Sequence, residues 1–188
     1  MAHTINFAEL AAKYKTAAEP ITQNTTQNQQ EKKAMLKVGD EAPDFELDST
    51  DGTKVKLSDF REKQAVLVSF YPLDFTPVCT AQNCSYSQDY AQFEALGVKV
   101  LPISVDSKFA HAAFREKYQL SHHLLSDIHR EATKKYDVFF EPLNCSKRAY
   151  FLVGKDGKIK WMHIENELKD SRTNEELIAA VKSALQEQ

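Results

Sequence analysis

Residues 65–79 have the sequence AVLVSFYPLDFTPVC. Its first part, residues 65–71, is apolar and rich in β-branched side chains without alternation, which is typical of a strand buried on both faces. Pro72 ends that strand. Thr76 followed by Pro77 predicts a helix start, because threonine is favoured at the N-cap and proline at the first helical position. The stretch therefore predicts a buried strand that leads through a short loop into a helix.

The predicted helix start places Cys79 at the third helical position. Backbone N–H groups of a first helical turn have no partners within the helix and form the positive end of the helix dipole. A cysteine in that setting is stabilised as the thiolate, which is the nucleophilic form of the side chain. The alternative is that Cys79 is a small apolar residue packing the first turn, and the local sequence leaves both interpretations open.

Short apolar runs alternate with helical patterns along the rest of the chain from residue 35 onward. Hairpins are predicted about Asp51–Gly52 and about Asp156–Gly157, where turn residues separate two apolar runs. The other predicted strands are residues 98–105 and 124–125, and the predicted helices are residues 78–96, 107–118, 129–136 and 173–186. This alternation predicts an α/β domain in which helices flank a mixed central β-sheet.

The first 34 residues form a separate part of the predicted organisation. Residues 7–19 have helical periodicity, and Pro20 ends the pattern. Residues 23–33 are polar and without periodicity, so they are predicted to be a linker. We expect the globular domain to occupy residues 35–188.

The composition predicts a soluble globular protein. The chain has 188 residues, of which 42% are hydrophobic and 27% charged, with a net charge of −3. A domain of this size needs neither a metal nor a disulfide to fold, and it lacks the basic stripes that favour nucleic acid or anionic membranes. No apolar run approaches the roughly 18 residues of a membrane helix. The N-terminal residues do not resemble a secretory or transit signal and the cysteine count is odd, which together predict a cytoplasmic protein.

No metal or cofactor is expected from the sequence. The adjacent pair His122–His123 lacks an acidic or cysteine partner at ligand spacing, so it is predicted to lie in a loop. Neither a phosphate-binding loop nor a dinucleotide fingerprint occurs. We expect the chemistry to be carried by side chains alone.

Several motifs, in a consistent order, resemble the peroxiredoxin (AhpC/TSA) family. The spacing Pro72-x-x-x-Thr76-x-x-Cys79 looks like its active-site signature, and residues 80–84 resemble its bacterioferritin-comigratory (PrxQ) branch. Further similar segments are residues 38–45, 124–127 and 148–159. The resemblance implies a thioredoxin-like fold. It also implies a thiol-dependent peroxidase that reduces hydrogen peroxide and organic hydroperoxides through a cysteine sulfenic acid.

The resemblance implies a role for each residue of the signature. Cys79 is the peroxidatic cysteine, and Arg148 lies beside it, holds the sulfur as thiolate and helps to bind the peroxide. The Thr76 hydroxyl donates to the peroxide, and Pro72 shields the sulfur from water. Taken without the family, Arg148 is a surface arginine paired with a carboxylate, Thr76 is an N-cap and Pro72 only terminates a strand.

The resemblance also points to Cys84 as the resolving cysteine that forms a disulfide with Cys79. Five residues along a helix separate two Cα atoms by about 8–9 Å, whereas a disulfide needs about 4.4–6.8 Å. The helix must therefore unwind before this bond forms. The alternative resolving cysteine is Cys145, three residues before Arg148. Cys84 would then be a buried residue without a chemical role. A further option is direct attack on the sulfenic acid by an external thiol.

The expected partners are a hydroperoxide and thioredoxin or a similar thiol reductant, with the protein a monomer or homodimer. The chain departs from the family pattern at Gln82, where an acidic residue is common, and at Ser87, where the PrxQ branch often has arginine. It has no cysteine in the C-terminal tail, so a dimeric mechanism with a tail resolver is not expected. The alternatives are a thiol-disulfide oxidoreductase, which usually requires an absent C-x-x-C, and a non-enzymatic peroxide sensor.

Overall fold

The computed structural model describes residues 35–186, and the predicted N-terminal helix and linker lie outside the described residues. The described strands are β1 (Glu46–Ser49), β2 (Lys54–Lys56), β3 (Ala65–Phe70), β4 (Val98–Ser104), β5 (Leu125–Ser126), β6 (Phe139–Phe140), β7 (Cys145–Ser146), β8 (Ala149–Val153) and β9 (Ile159–Ile164). The α-helices are α1 (Pro77–Ala95), α2 (Lys108–Tyr118), α3 (Glu131–Lys135) and α4 (Asn174–Gln186). Two short 3₁₀ helices cover Leu57–Phe60 and Glu141–Leu143.

Seven strands form one mixed sheet in the order β2-β1-β5-β4-β3-β8-β9. The central pairs β3–β4 and β4–β5 are parallel, and the remaining pairs are antiparallel. Both predicted hairpins are present, as β1–β2 and β8–β9. The predicted fold class, a mixed central sheet with flanking helices, is confirmed.

Strand β3 lies inside this sheet, between β4 and β8, and all six of its residues are buried. Its side chains alternate between the two faces, as the period of a strand requires. Val66, Val68 and Phe70 belong to one core cluster, whereas Ala65 and Leu67 belong to the other. The second cluster also contains buried residues of α1 and α4, while the first contains Ala132 of α3. The loop after β3 therefore begins at a strand that is buried on both faces of the sheet.

Most predicted helix ends agree with the structure. Thr76 is the N-cap of α1 and Pro77 its first residue. Ser107 opens α2 by accepting a hydrogen bond from the Ala110 amide at 3.2 Å. Thr173 and Glu176 form the predicted capping box before α4, with bonds of 2.8 and 3.2 Å.

Two local predictions needed correction. The helix predicted over residues 129–136 is shorter, because the buried Asp127 carboxylate accepts hydrogen bonds from the amides of Ala132 and Thr133 and fixes the first turn there. The small antiparallel pair β6–β7 was not predicted, since two-residue strands have no periodicity to detect.

Among residues 35–186, no helix combines the length and apolar character that crossing a bilayer demands.

Candidate active site

Cys79 lies in the first turn of α1, three residues after the N-cap, as the sequence predicts. Its side chain is buried, with 1% exposure. Thr76 makes no side-chain capping hydrogen bond to the helix, so it leaves the first-turn amides of Val78 and Cys79 uncapped. Cys79 therefore lies at the positive end of the helix dipole.

Arg148 lies directly before β8 and is 1% exposed. Its Nη2 is 3.2 Å from the Cys79 sulfur and 3.3 Å from the carbonyl oxygen of Leu168. Its Nη1 donates to the amide oxygen of Gln82. None of these partners is a carboxylate, so the interpretation of Arg148 as a surface arginine in an ion pair is wrong. Burying a cation without an opposite charge is costly, and Cys79 is the contact that can supply one.

Gln82 belongs to a buried hydrogen-bond network behind the guanidinium. Its Nε2 donates to the hydroxyls of Tyr86 and Tyr150, each at 3.0 Å. The Tyr86 hydroxyl is also 2.8 Å from the Ser69 hydroxyl on β3. Burial raises the pKa of Tyr86 to about 12 and also raises the pKa of Tyr150, so both phenols are neutral at ordinary pH. The network ties Arg148 to the centre of the sheet.

The two other residues of the signature lie in the loop between β3 and α1. Pro72 is buried. The Thr76 hydroxyl donates a hydrogen bond of 3.0 Å to the carbonyl of Leu73, rather than capping the helix with its side chain. Its lone pairs remain able to accept a hydrogen bond, whereas donation to a substrate requires the hydroxyl to rotate away from Leu73.

A second buried network supports this loop, and sequence reasoning did not find it. The Tyr71 hydroxyl donates to Asp74 at 2.7 Å, and the Nδ1 of His111 on α2 is 2.8 Å from the other oxygen of that carboxylate. The Asp74 amide in turn donates to Asp106, which follows β4, at 2.9 Å. Within the loop, the polar residue Asp74 was the only sequence signal for this network, because its partners His111 and Asp106 lie on distant segments.

The other two cysteines differ in their surroundings. Cys84 is half-buried on α1 and packs against a cluster that includes Phe114 of α2. Cys145 is fully buried on β7. Burial, followed by the charges of Cys79 and Asp106, raises the pKa of the Cys145 thiol. All three cysteines are free thiols in this structure.

The histidine pair lies in a loop, as predicted, and it serves packing. The ring nitrogens of His122 are 3.1 Å from the Asn83 amide oxygen and 3.2 Å from the Ser87 hydroxyl. Burial, with help from nearby Arg115, lowers the pKa of His122 to about 3. Within residues 35–186, no cluster of three or more potential metal ligands occurs.

The fold and the site together define a class of protein: a thioredoxin-like α/β domain in which a buried arginine faces a cysteine at a helix N-terminus. Comparison with known proteins agrees with that class. A sequence profile described as the AhpC/TSA family matches residues 38–162. The chain therefore belongs to the AhpC/TSA family, and the family predicted from the motifs is confirmed.

Individual relatives support the same assignment. "Peroxiredoxin Bcp" of Escherichia coli is 39% identical over 142 residues, covering 72% of this chain and 89% of that protein. "2-Cys peroxiredoxin BAS1, chloroplastic" of Spinacia oleracea is 36% identical over 139 residues, covering 69% of this chain. The chain spans about half (52%) of the length of that spinach relative.

A solved structure shows the same fold. The reduced 2-Cys peroxiredoxin of Plasmodium vivax superimposes with a TM-score of 0.74 at 32% identity, covering 79% of this chain and 82% of that one. The thioredoxin-like fold implied by the sequence motifs is therefore confirmed.

Proposed function

We propose that the protein is a thiol-dependent peroxidase that reduces hydrogen peroxide and organic hydroperoxides with the Cys79 thiolate. The observation that carries this proposal is the 3.2 Å contact between the Cys79 sulfur and Nη2 of Arg148, a buried cation without a carboxylate partner among its contacts. A fixed positive charge and the first turn of α1 both favour the anionic sulfur. Membership of the AhpC/TSA family supports the same activity.

The reaction begins when the sulfur attacks one oxygen of the hydroperoxide. An S–O bond forms, the O–O bond breaks, and the second oxygen leaves as hydroxide or alkoxide that takes a proton from solvent. Sulfur is oxidised to the sulfenic acid while the peroxide is reduced to water or an alcohol. Arg148 stabilises the negative charge that develops on the departing oxygen. Thr76 accepts a hydrogen bond from the peroxide or, after rotation, donates one, and Pro72 keeps water from the sulfur.

Cys84 is the proposed resolving cysteine. Its thiolate attacks the Cys79 sulfur and displaces hydroxide, which leaves as water once protonated, so that a disulfide remains. Cys145 is less suited than Cys84 to be the resolving cysteine. It is fully buried, and the raised pKa of its thiol disfavours the attacking thiolate. Half-buried Cys84 lies on α1 itself, so unwinding the first turns brings it to the sulfenic acid.

A dithiol protein completes the cycle. We propose thioredoxin or a similar thiol reductant, which reduces the Cys79–Cys84 disulfide and becomes oxidised in turn. The odd number of cysteines suits a reducing compartment, and we propose the cytoplasm. The protein acts as a monomer or homodimer, since the resolving cysteine belongs to the same chain as Cys79. Residues 1–34 form an N-terminal extension to the peroxidase domain in this proposal.

The test is peroxide consumption coupled to thioredoxin oxidation by the full-length chain. Cys79→Ser is expected to abolish turnover, because a serine hydroxyl stays protonated at neutral pH and attacks the O–O bond poorly. Cys145→Ser is the matched control and is expected to retain turnover. Substantial peroxidase activity in Cys79→Ser would reject the proposal. Disulfide reduction by the wild type without peroxide consumption would instead favour a thiol-disulfide oxidoreductase.

A further inference from the structure

We propose that His122 is a positioning residue for the resolving step, because it holds the turn of α1 that carries Cys84 closed through Asn83. This inference rests on the proposed peroxidase function and on Cys84 as the resolving cysteine. Asn83 directly precedes Cys84 and is fully buried. Its side-chain amide contacts the Cys79 carbonyl at 3.0 Å and Nε2 of His122 at 3.1 Å. One side chain therefore joins the backbone of the reactive cysteine to a loop outside the helix.

The direction of each hydrogen bond follows from the chemistry of the groups. A carbonyl only accepts, so the Asn83 NH₂ faces Cys79, and the Asn83 oxygen accepts from Nε2 of His122. Burial lowers the pKa of His122 to about 3, so the ring is neutral, and Nδ1 accepts a 3.2 Å bond from the Ser87 hydroxyl. The Ser87 oxygen in turn accepts from the Ser121 amide at 3.1 Å. The hydrogen bonds therefore run in one direction from Ser121 to the Cys79 carbonyl.

His122 is also held by contacts away from the first turns of α1. Its carbonyl accepts a hydrogen bond of 2.9 Å from Nε of Arg115 on α2, and its ring is stacked on that of Tyr90 with centroids 6.1 Å apart. Its contact with Ser87 lies on the part of α1 that helix α4 also binds. His122 therefore connects the part of α1 that we expect to stay in place with Asn83, on the part that must open.

Opening of α1 requires the Asn83 hydrogen bonds to break. In the resolving step the Cys84 sulfur bonds to the Cys79 sulfur as hydroxide leaves, and the intact helix keeps the two Cα atoms about 8–9 Å apart. The bonds of Asn83 to the Cys79 carbonyl and to His122 stabilise the closed helix only. Neither bond is made to the Cys79 sulfur, so we expect them to slow disulfide formation without changing the first oxidation.

The test follows the full-length protein through one turnover of hydrogen peroxide, with rapid quench and mass spectrometry of the trapped sulfenic acid and of the disulfide. Asn83→Leu is similar in size to the wild type, and His122→Phe keeps an aromatic ring, but each removes the hydrogen bond between the two side chains. Each is expected to speed formation of the Cys79–Cys84 disulfide by about tenfold. The rate of Cys79 oxidation should stay unchanged.

A control and a double variant show whether the two residues act through the same bond. His123→Phe changes the neighbouring ring, which faces Thr50 and Asp51, and should leave both rates unchanged. The double variant Asn83→Leu/His122→Phe should form the disulfide no faster than Asn83→Leu alone, because the bond between the two side chains is already lost.

The possible outcomes separate this inference from the proposed function. Absence of peroxide-driven oxidation of Cys79 in the wild type would overturn both. Oxidation without a Cys79–Cys84 disulfide would overturn this inference and leave the peroxidase activity in place. An unchanged rate of disulfide formation in either folded variant would also overturn the inference. So would an equal change in oxidation and disulfide formation, which a merely structural role would produce. If one of the two single variants does not fold, the other decides.

Discussion

At the scale of single residues, the proposed chemistry rests on Arg148 and Cys79. The guanidinium is buried against a sulfur at the start of a helix, and its other two contacts are neutral oxygens. In the proposed reaction, positive charge is in place before the peroxide arrives, at the point where negative charge would develop during O–O cleavage. Preorganised charge of this kind is effective because the protein need not rearrange in the transition state.

Arg148→Met is expected to slow Cys79 oxidation by about a hundredfold or more, because the charge and a donor to the departing oxygen are both lost. Stopped-flow oxidation under single-turnover conditions measures this rate. Arg61→Met is the matched control, since Arg61 forms a half-exposed ion pair with Glu41 at 2.7 Å. A rate for Arg148→Met equal to that of the control would mean that Arg148 does not take part in the reaction.

The sequence predicts the residues of the signature but not the residues that hydrogen-bond to them. Cys79, Thr76 and Pro72 lie within one local motif, so spacing alone places them at the loop and first turn after β3. The bonds of Gln82 to Arg148 and to Tyr150 join residues 66 and 68 positions apart. No local pattern reports such pairs. The same holds for the contact of Asp74 with His111, which bridges a loop and α2.

Helix α1 carries both cysteines of the proposed cycle, Cys79 and Cys84. It runs without a break from Pro77 to Ala95, so Cys79 and Cys84 cannot form a disulfide until its first turns open. Helix α4 clamps α1 immediately beyond that point. The Asn174 side-chain amide donates to the Ser85 carbonyl at 2.7 Å and to the Asp89 carboxylate at 2.8 Å. We expect these two hydrogen bonds to hold the later turns of α1 in place while its first turns open.

Disulfide formation is expected to speed up amide hydrogen exchange from residue 78 toward the Asn174 clamp near Ser85, with smaller changes up to residue 90. Exchange in α4 should change little, and reduction should restore the original pattern. Exchange mass spectrometry of the reduced and peroxide-oxidised protein measures this difference. Cys84→Ser is the control, since it can be oxidised at Cys79 but cannot form this bond. Equal exchange in both forms would exclude Cys84 as the partner.

Element boundaries were predictable where the signal was local. The Thr76–Pro77 start, the Ser107 cap and the Thr173 capping box are all sequence patterns, and each is found. Helix α3 was predicted too long because its start is set by Asp127, a tertiary contact. The pair β6–β7 was missed because two-residue strands exist only through their pairing.

At the scale of the whole molecule, buried polar groups make stability depend on pH. His122 is neutral in the folded protein, since burial lowers its pKa to about 3 and its ring nitrogens are paired with Asn83 and Ser87. In the unfolded chain its pKa is about 6.5. The unfolded state therefore binds the proton first as pH falls, and this contribution to stability is fully present above about pH 6.5.

Between about pH 6.5 and pH 3, the His122 contribution should decrease by up to about 1.4 kcal/mol per pH unit. Urea unfolding at several pH values measures the free energy of unfolding. His122→Gln, whose amide can both donate and accept, is expected to flatten the pH dependence in this window. His129→Gln is the control, because His129 is exposed. Parallel curves for the wild type and His122→Gln would show that His122 is not buried in its neutral form.

The peroxidatic role of Cys79 can be tested by site-resolved mass spectrometry of the full-length protein, trapped with a sulfenic-acid reagent within the first turnover of peroxide. We expect the sulfenic acid to appear at Cys79 first and then to decay into a Cys79–Cys84 disulfide, while Cys145 stays reduced. Initial oxidation at Cys84 or Cys145, with Cys79 still a free thiol, would show that Cys79 is not the peroxidatic cysteine.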